Sequence, residues 1–371
     1  MKTLGLVKEP EFENRICFLP KEIKQLSQQF EVEIFIEPGL GERLGIPDTA
    51  YQEAGATVND RETVLNNTDC ILSINQIDDF VVNGKPNTHI GIFNMLYYPE
   101  RSEKYLNKAT TVYSLDLLPR TTLAQSMDVL SSMASLAGYK AVLKATAHYS
   151  GSLPMFTTAA GTLNPAKVLV LGAGVAGLQA IATAKRLGAI VEAFDVRKSA
   201  GEEVRSLGAK FVAVEGAEEA KDAGGYAVAQ SEEYLKKQKQ LIHERVRNAN
   251  IVICTANIPG KKAPLLLEKN TVEAMQPGSV IIDMAAEQGG NCEVSQPGKT
   301  IDYNSITIIG DSHLSREVAQ AASQLLSTNY YNFLKYLLQS TKEDDELLQK
   351  SKVIDNGTLT NPILINKFEL A

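Results

Sequence analysis

A short apolar run that leads directly into three closely spaced glycines constrains the fold more than any other feature. Residues 167–184 read KVLVLGAGVAGLQAIATA, with glycines at Gly172, Gly174 and Gly177. The run 168–171 predicts a buried parallel strand, and the alanine-rich residues after the glycines predict a helix. In such a unit the first glycine permits a tight turn, the second lets the backbone approach a pyrophosphate, and the third lets the helix pack on the strand. The segment therefore predicts a dinucleotide-binding site, with the phosphates at the helix N-terminus.

An acid after the next predicted strand indicates which dinucleotide binds. Residues 190–194 predict that strand, and Asp195 follows it at about the 20-residue offset of a ribose-binding acid. A carboxylate accepts a hydrogen bond from a ribose 2′-OH and repels a 2′-phosphate, so we expect NAD(H). Arg197 offers a phosphate ligand instead, although its position is less suitable, and Asp195 has the alternative role of a strand-end cap. A transmembrane helix is the alternative for the glycine segment, but its glycines and polar residues argue against it.

Composition narrows the class of protein. The 371 residues suggest two domains, and 44% apolar content is enough for substantial cores. A net charge of -7 argues against general nucleic-acid binding. The histidines and cysteines lack metal-ligand spacing, so we expect no metal site, and unpaired cysteines fit a reducing cytosol. The N-terminus reads as a strand rather than a signal peptide, and no segment is a convincing membrane span. Three cysteines lie in apolar surroundings and are expected to be buried: Cys17, Cys70 and Cys254.

Alternating strand and helix patterns predict an α/β fold with two Rossmann-like, doubly wound parallel-sheet domains joined by long helices. The first domain is expected over 1–125 and 325–371, and the NAD(H)-binding domain over 140–315. Helical connections are expected over 126–139 and 316–324. Long helices are predicted over 125–148 and 315–338, a loop over 151–165, and a hairpin-type turn at residues 355–357.

Several motifs together resemble one family. The segment RTTLAQSMDVLSSMASLAGY at 120–139, the glycine segment, TANIPGKKAP at 255–264 and PGSVIIDMAAEQGGNCE at 277–293 closely resemble the NAD(H)-binding component of proton-translocating nicotinamide nucleotide transhydrogenase. The resemblance covers nearly the whole chain. Alanine dehydrogenases share this fold and several of these motifs, so individual residues must separate the two activities.

Alanine oxidation needs groups that move protons, and that family places an Arg, a Lys and a His around its substrate. Arg15 matches the Arg, but CILSINQIDDF offers no Lys, IGIFNMLYYPE offers no His, and Glu287 stands where that family has an Asp. Direct hydride transfer between two nicotinamides needs orientation and exclusion of water but no general acid or base. The missing residues therefore favour the transhydrogenase.

The resemblance also implies which residues act at the nicotinamide. Gln125 can donate to and accept from a carboxamide or ribose, Asp128 and Ser131 are expected on one helix face, and Arg120 holds a pyrophosphate or orders the loop. The alternative is that these residues are helix caps and surface contacts. The residues expected at this catalytic position are Arg120, Gln125, Asp128 and Ser131.

The remaining cofactor contacts are expected from the strand ends of the second domain and from a mobile lid. The lid is expected at Gly225 and Tyr226, with Gln230 in place of the family's Met. The segment GDSHLSRE departs from the family's GHTN, and no function is assigned to His313. The expected cofactor-binding residues are Gly172, Gly174, Val175, Ala176, Gly177, Asp195, Val196, Arg197, Gly225, Tyr226, Ala256, Asn257 and Glu287.

The sequence therefore predicts the NAD(H)-binding alpha subunit of a bacterial membrane transhydrogenase. The resemblance implies a homodimer, cytoplasmic and peripherally attached to the inner membrane through partner subunits that bind NADP(H), span the bilayer and couple hydride transfer to proton translocation. Two alternatives stay open: an alanine dehydrogenase-like oxidoreductase, and a nucleotide-binding regulatory protein without catalysis.

Overall fold

The strands of the chain form two large sheets and one small hairpin. The structure is a computed structural model that describes residues 1–80, 87–214, 231–341 and 345–369. The strands, in chain order, are β1 (Thr3–Leu6), β2 (Glu33–Ile36), β3 (Ala56–Val58), β4 (Cys70–Leu72), β5 (Asn87–Gly91), β6 (Thr110–Ser114), β7 (Phe156–Thr158), β8 (Gly161–Leu163), β9 (Lys167–Leu171), β10 (Ile190–Phe194), β11 (Lys210–Val212), β12 (Ile251–Cys254), β13 (Val280–Asp283), β14 (Lys299–Tyr303), β15 (Ile306–Gly310), β16 (Lys352–Asp355) and β17 (Thr358–Leu359).

Helices alternate with these strands. In chain order they are α1 (Pro20–Gln29), α2 (Asp48–Glu53), α3 (Arg61–Asn67), α4 (Val129–His148), α5 (Val175–Arg186), α6 (Ala200–Ser206), α7 (Glu232–Val246), α8 (Lys269–Glu273), α9 (Ala319–Gln339), α10 (Glu346–Ser351) and α11 (Pro362–Glu369). Short 3₁₀ turns at strand and helix ends include Gln125–Met127 and Ala286–Gln288. Among the described residues, no helix combines the length and hydropathy needed to cross a membrane.

Two compact units divide the chain. The first comprises Met1–Ser132 and Val318–Ala371, and the second comprises Met133–Glu317. The domain ranges expected from the sequence stay a prediction. In the first unit the sheet has the order β17-β16-β6-β5-β4-β1-β2-β3. Its strands β1 to β6 pair in parallel, while β16 and β17 form an antiparallel edge.

The second unit is a doubly wound sheet of order β11-β10-β9-β12-β13-β15-β14, with β14 antiparallel at its edge. The order reverses between β9 and β12, the point at which sheets of this kind bind dinucleotides. Alternate residues of β9 pack on opposite layers. Val168 and Val170 pack in the cluster that contains Ala141 of α4 and Ile181 of α5, while Leu169 packs in the cluster that contains residues of α7 and α8. The predicted fold class is confirmed.

Three local predictions need correction. The predicted loop over 151–165 contains the exposed antiparallel hairpin β7–β8. The predicted long helix over 125–148 begins only at Val129, because Asp128 leaves the helical backbone and caps the first turn through the Ser131 N–H, 2.9 Å from its carboxylate. Asp128 and Ser131 therefore meet as cap and capped residue rather than on one helix face. The predicted helix over 315–338 begins at Ala319, after a 3₁₀ turn.

Other local predictions are confirmed. Asn356 and Gly357 both have positive φ between β16 and β17, as the tight hairpin turn requires. The cysteines expected to be buried, Cys17, Cys70 and Cys254, are buried as free thiols. Burial raises the pKa of the Cys254 thiol, so it stays protonated and unreactive at neutral pH.

A close approach of two helices generates a prediction. A Cβ atom added to Gly138 of α4 would lie 2.0 Å from the carbonyl oxygen of Ala176, in the first turn of α5. Gly138→Ala should lower the free energy of unfolding by about 1–3 kcal/mol, as measured by urea denaturation. An alanine elsewhere in a helix is more stable than a glycine by about 1 kcal/mol, so the sign of the change is diagnostic. Ser135→Ala on the same helix is the control, and a stabilised Gly138→Ala protein would contradict the prediction.

Candidate functional site

The glycine loop, residues 172–177, joins β9 to α5 at the reversal point of the second sheet. Gly172 has φ +103°, which favours glycine. A Cβ there would lie 2.7 Å from Thr255 Oγ1, and the Thr255 hydroxyl donates to the Gly172 carbonyl at 2.9 Å. A Cβ on Gly177 would lie 1.9 Å from the same carbonyl oxygen. The turn is therefore closed on two sides by contacts that only a bare backbone permits.

Gly174 differs from the other two glycines, and the difference fits a pyrophosphate. No atom of the described residues lies within 4 Å of the position that its Cβ would occupy. It is the N-cap of α5 and has no side chain that caps the helix, and the neighbouring Val175 is 41% exposed. The backbone N–H groups of the first turn thus face open space at the positive end of the helix dipole, where an anion is stabilised. The residues present fit the predicted dinucleotide.

Asp195 follows β10 and is 9% exposed. Its Oδ2 accepts the Ala173 N–H at 2.8 Å, which ties the acid directly to the glycine loop. Arg197 donates to both carboxylate oxygens, from Nε at 2.9 Å and from Nη2 at 2.8 Å, and its N–H donates to Oδ1 at 2.9 Å. A carboxylate has about four acceptor sites, and these four donors use them. A ribose hydroxyl therefore competes with Arg197 for Asp195.

Arg197 is thus a partner of Asp195 rather than an isolated phosphate ligand. The hydrogen bonds to the Asp195 carboxylate raise the pKa of the Arg197 guanidinium. The ion pair cancels much of the negative charge that a 2′-phosphate would meet, so it weakens the discrimination between NAD(H) and NADP(H) that the acid alone supplies.

Two buried residues that the sequence did not single out organise the next two strand ends. Asp283, fully buried at the end of β13, accepts hydrogen bonds from the N–H groups of Ala285, Asn291 and Cys292 and from the Ser295 hydroxyl. The Asn291 amide donates to the carbonyls of Ala256 and Pro264. Asp283 and Asn291 thereby connect the loop after β13 to the loop after β12. The signal was an acid at a strand end followed by GGNC.

Ala256, Asn257 and Glu287, all expected at the cofactor, lie in those two loops at the carboxyl edge of the sheet. Glu287 is in the 3₁₀ turn after β13, and its Oε1 is 2.7 Å from His313 Nε2. This contact is the largest cause that lowers the pKa of Glu287, so the carboxylate is ionised at neutral pH. Val196 lies between Asp195 and Arg197, while Gly225 and Tyr226 lie outside the described residues.

The residues expected at the nicotinamide lie in the first unit, at the entry to α4. Gln125 and Arg120 are exposed, and Gln125 begins the 3₁₀ turn. Asn329 and Asn332 of α9 fix this turn, since both amides donate to the Ser126 carbonyl, at 2.9 and 3.0 Å. The carboxylate of Asp128 accepts the Ser131 hydroxyl at 2.6 Å as well as its N–H. The structure brings Asp128 and Ser131 together and presents Gln125 beside them.

Arg15, the residue shared with alanine dehydrogenases, is occupied by an internal acid. It donates to Glu13 from Nε at 2.7 Å and from Nη2 at 2.6 Å, and both side chains are buried. A buried bidentate ion pair is costly to break. Arg15 is therefore poorly placed to receive a substrate carboxylate.

Comparison with known proteins agrees with this geometry. The family models described as alanine dehydrogenase/PNT N-terminal domain and C-terminal domain match residues 5–137 and 141–362. The chain is 39% identical to an NAD(P) transhydrogenase subunit alpha of Rickettsia prowazekii, over 100% of this chain and 98% of that protein. A crystal structure of transhydrogenase from Sinorhizobium meliloti has a TM-score of 0.87 and 37% identity, covering 96% of this chain and 100% of that one. Alanine dehydrogenase of Mycolicibacterium smegmatis is more distant, at 27% identity over 77% of this chain and 72% of that protein.

The three glycines should separate binding from stability. Gly174→Ala places its methyl group in open space, so we expect an unchanged melting temperature but NADH affinity reduced about tenfold or more, since the methyl blocks the pyrophosphate. Gly177→Ala should instead lower the free energy of unfolding by about 3 kcal/mol. Calorimetry and NADH fluorescence titration measure the two effects. A Gly174→Ala protein with unchanged NADH affinity would remove the pyrophosphate from this position.

Arg197 generates a second prediction. Arg197→Ala exposes the Asp195 carboxylate, so the Kd for NADPH divided by the Kd for NADH should rise about tenfold. Fluorescence titration with both reduced dinucleotides measures this ratio. Arg205→Ala, which removes an exposed arginine of α6, is the control. A falling ratio in Arg197→Ala would show that Asp195 does not govern the choice.

Proposed function

The chain belongs to the alanine dehydrogenase/PNT family, as a relative of the NAD(P) transhydrogenase alpha subunits, and we propose that it is the NAD(H)-binding subunit of such a transhydrogenase. The observation that carries the proposal is the glycine loop, in which Gly174 leaves room at an open helix N-terminus beside Asp195. Bound NADH supplies a hydride from C4 of its nicotinamide, and NADP⁺ on a partner subunit accepts it.

The chain's own residues bind and orient in this proposal. The first turn of α5 holds the pyrophosphate, and Asp195 receives the adenosine ribose when Arg197 yields a carboxylate oxygen. By resemblance, Arg120, Gln125, Asp128 and Ser131 orient the nicotinamide. Direct hydride transfer needs this orientation and the exclusion of water. It needs no general acid, which agrees with the occupied Arg15.

The partners are proposed from the relatives' names and from the resemblance. Relatives described as an alpha subunit imply further subunits. We propose that these bind NADP(H), span the cytoplasmic membrane of a bacterium and couple hydride transfer to proton translocation, with this chain attached peripherally from the cytoplasm. A homodimer agrees with the apolar side chains of the β7–β8 hairpin region, where Met155, Phe156 and Leu163 are each more than half exposed.

One experiment separates the candidate functions. The purified chain is mixed with the NADP(H)-binding domain of a transhydrogenase, and reduction of an NAD⁺ analogue by NADH is followed as hydride cycles through NADP(H). The expected result is turnover that requires both proteins. A parallel assay supplies pyruvate, ammonia and NADH without a partner. Activity in the second assay alone would identify an alanine-type dehydrogenase, and NADH binding without turnover in either assay would favour a regulatory protein.

Gln125 should affect turnover more than binding. Gln125→Asn shortens the side chain by one methylene, which misplaces its amide relative to the nicotinamide, so we expect hydride transfer to fall about a hundredfold. NADH affinity should stay within several-fold, because the phosphates and ribose bind elsewhere. Single-turnover kinetics and equilibrium titration measure the two quantities, with Thr122→Ala, an exposed neighbour, as the control. An unchanged rate would exclude the role of Gln125.

A further inference from the structure

A histidine outside the glycine loop contacts an acid of the candidate site. His313 follows β15, and its Nε2 lies 2.7 Å from Glu287 Oε1 in the turn after β13. The Glu287 N–H donates to Ser312 Oγ at 3.2 Å. The side chains of His313 and Glu287 are 40% and 29% exposed, so solvent protons reach the pair while part of its surface is protected. The two strand ends are thus joined through Glu287.

The backbone around His313 is held in place by fixed charges. The His313 N–H donates to Asp311 Oδ1 at 2.8 Å, and Asp311 Oδ2 pairs with Lys144 Nζ of α4 at 2.8 Å. The Arg316 N–H donates to the His313 carbonyl at 2.8 Å. The imidazole therefore projects from a braced loop, and its contact with Glu287 follows from the fold of the unit.

Topology places this pair toward one end of the proposed dinucleotide. Asp195 follows β10, on one side of β9, whereas β12, β13 and β15 lie in order on the other side. A dinucleotide that crosses the reversal point with its adenosine ribose at Asp195 extends its nicotinamide half toward β12 and β13. Glu287 follows β13, so its carboxylate is on the nicotinamide side.

The charge of the nicotinamide ring makes this placement consequential. The oxidised ring carries a positive charge and the reduced ring carries none. An ionised Glu287 without a cationic partner stabilises the oxidised ring, and a protonated His313 cancels that effect. We propose that Glu287 and His313 set the relative affinity of the site for NAD⁺ and NADH, and that proton binding to His313 shifts the preference toward NADH.

The neighbouring charges do not change over the same pH range. Asp311 has a lowered pKa and stays ionised, and Lys144 has a raised pKa and stays protonated. Glu317 pairs with Lys144 and Lys140 of α4, and the Arg316 guanidinium is charged throughout. Imidazole is the side chain that ordinarily titrates between about pH 5 and pH 8, which leaves His313 as the group that changes charge in this cluster.

The proposal rests on the proposed function, and its test uses binding rather than turnover. The Kd values of NAD⁺ and NADH are measured by equilibrium dialysis on the full chain from about pH 5.5 to about pH 8.5. In the unaltered protein the Kd for NAD⁺ divided by the Kd for NADH should fall about three- to tenfold as pH rises. His313→Gln keeps a donor for Glu287 but cannot titrate, so its ratio should be flat at the high-pH value.

Two further variants make the outcome decisive. Glu287→Gln should give a flat ratio at or above the low-pH value of the unaltered protein. His148→Gln, at an exposed position of α4, should keep the full slope. A slope that persists in His313→Gln, or no slope in the unaltered protein, would overturn the proposal while leaving the proposed function intact. Failure of the unaltered protein to bind either dinucleotide would overturn both.

Discussion

The contact between Gly177 and the Gly172 carbonyl is the constraint on which the second unit depends. A Cβ at Gly177 would lie 1.9 Å from that oxygen, so α5 reaches β9 only because no side chain intervenes. The same carbonyl accepts the Thr255 hydroxyl from the end of β12. One backbone group thus joins a helix and two strands at the reversal point of the sheet, and it leaves the first turn of α5 open toward solvent.

Paired acids, rather than isolated ones, surround that turn. Asp195 shares its oxygens between the glycine loop and Arg197, Asp283 orders the loop after β13, and Glu287 contacts His313. Each pairing fixes a loop and also moderates a charge. In the proposed function, selectivity for the ribose and for the oxidation state therefore depends on the partner of each acid as much as on the acid itself.

Local pattern predicted the central strands well because buried parallel strands are short apolar runs that need no distant information. The run 251–254 coincides with β12, and the glycine segment gave β9 and α5. The exposed hairpin β7–β8 was missed because its residues are polar or small and carry no burial pattern. The start of α4 was misplaced because Asp128 has a capping role that helical periodicity does not reveal.

The sequence alone determined the fold class, the dinucleotide site and the family, since glycine spacing, a following acid and extended motifs are properties of adjacent residues. Tertiary structure decided what surrounds them. Arg197 lies two residues from Asp195, yet only the folded chain shows that it occupies both oxygens. Glu287 and His313 are separated by 26 positions, and nothing in either segment indicates the other. They meet because β13 and β15 are neighbours in the sheet, and a side chain's charge is set by what the fold brings to it.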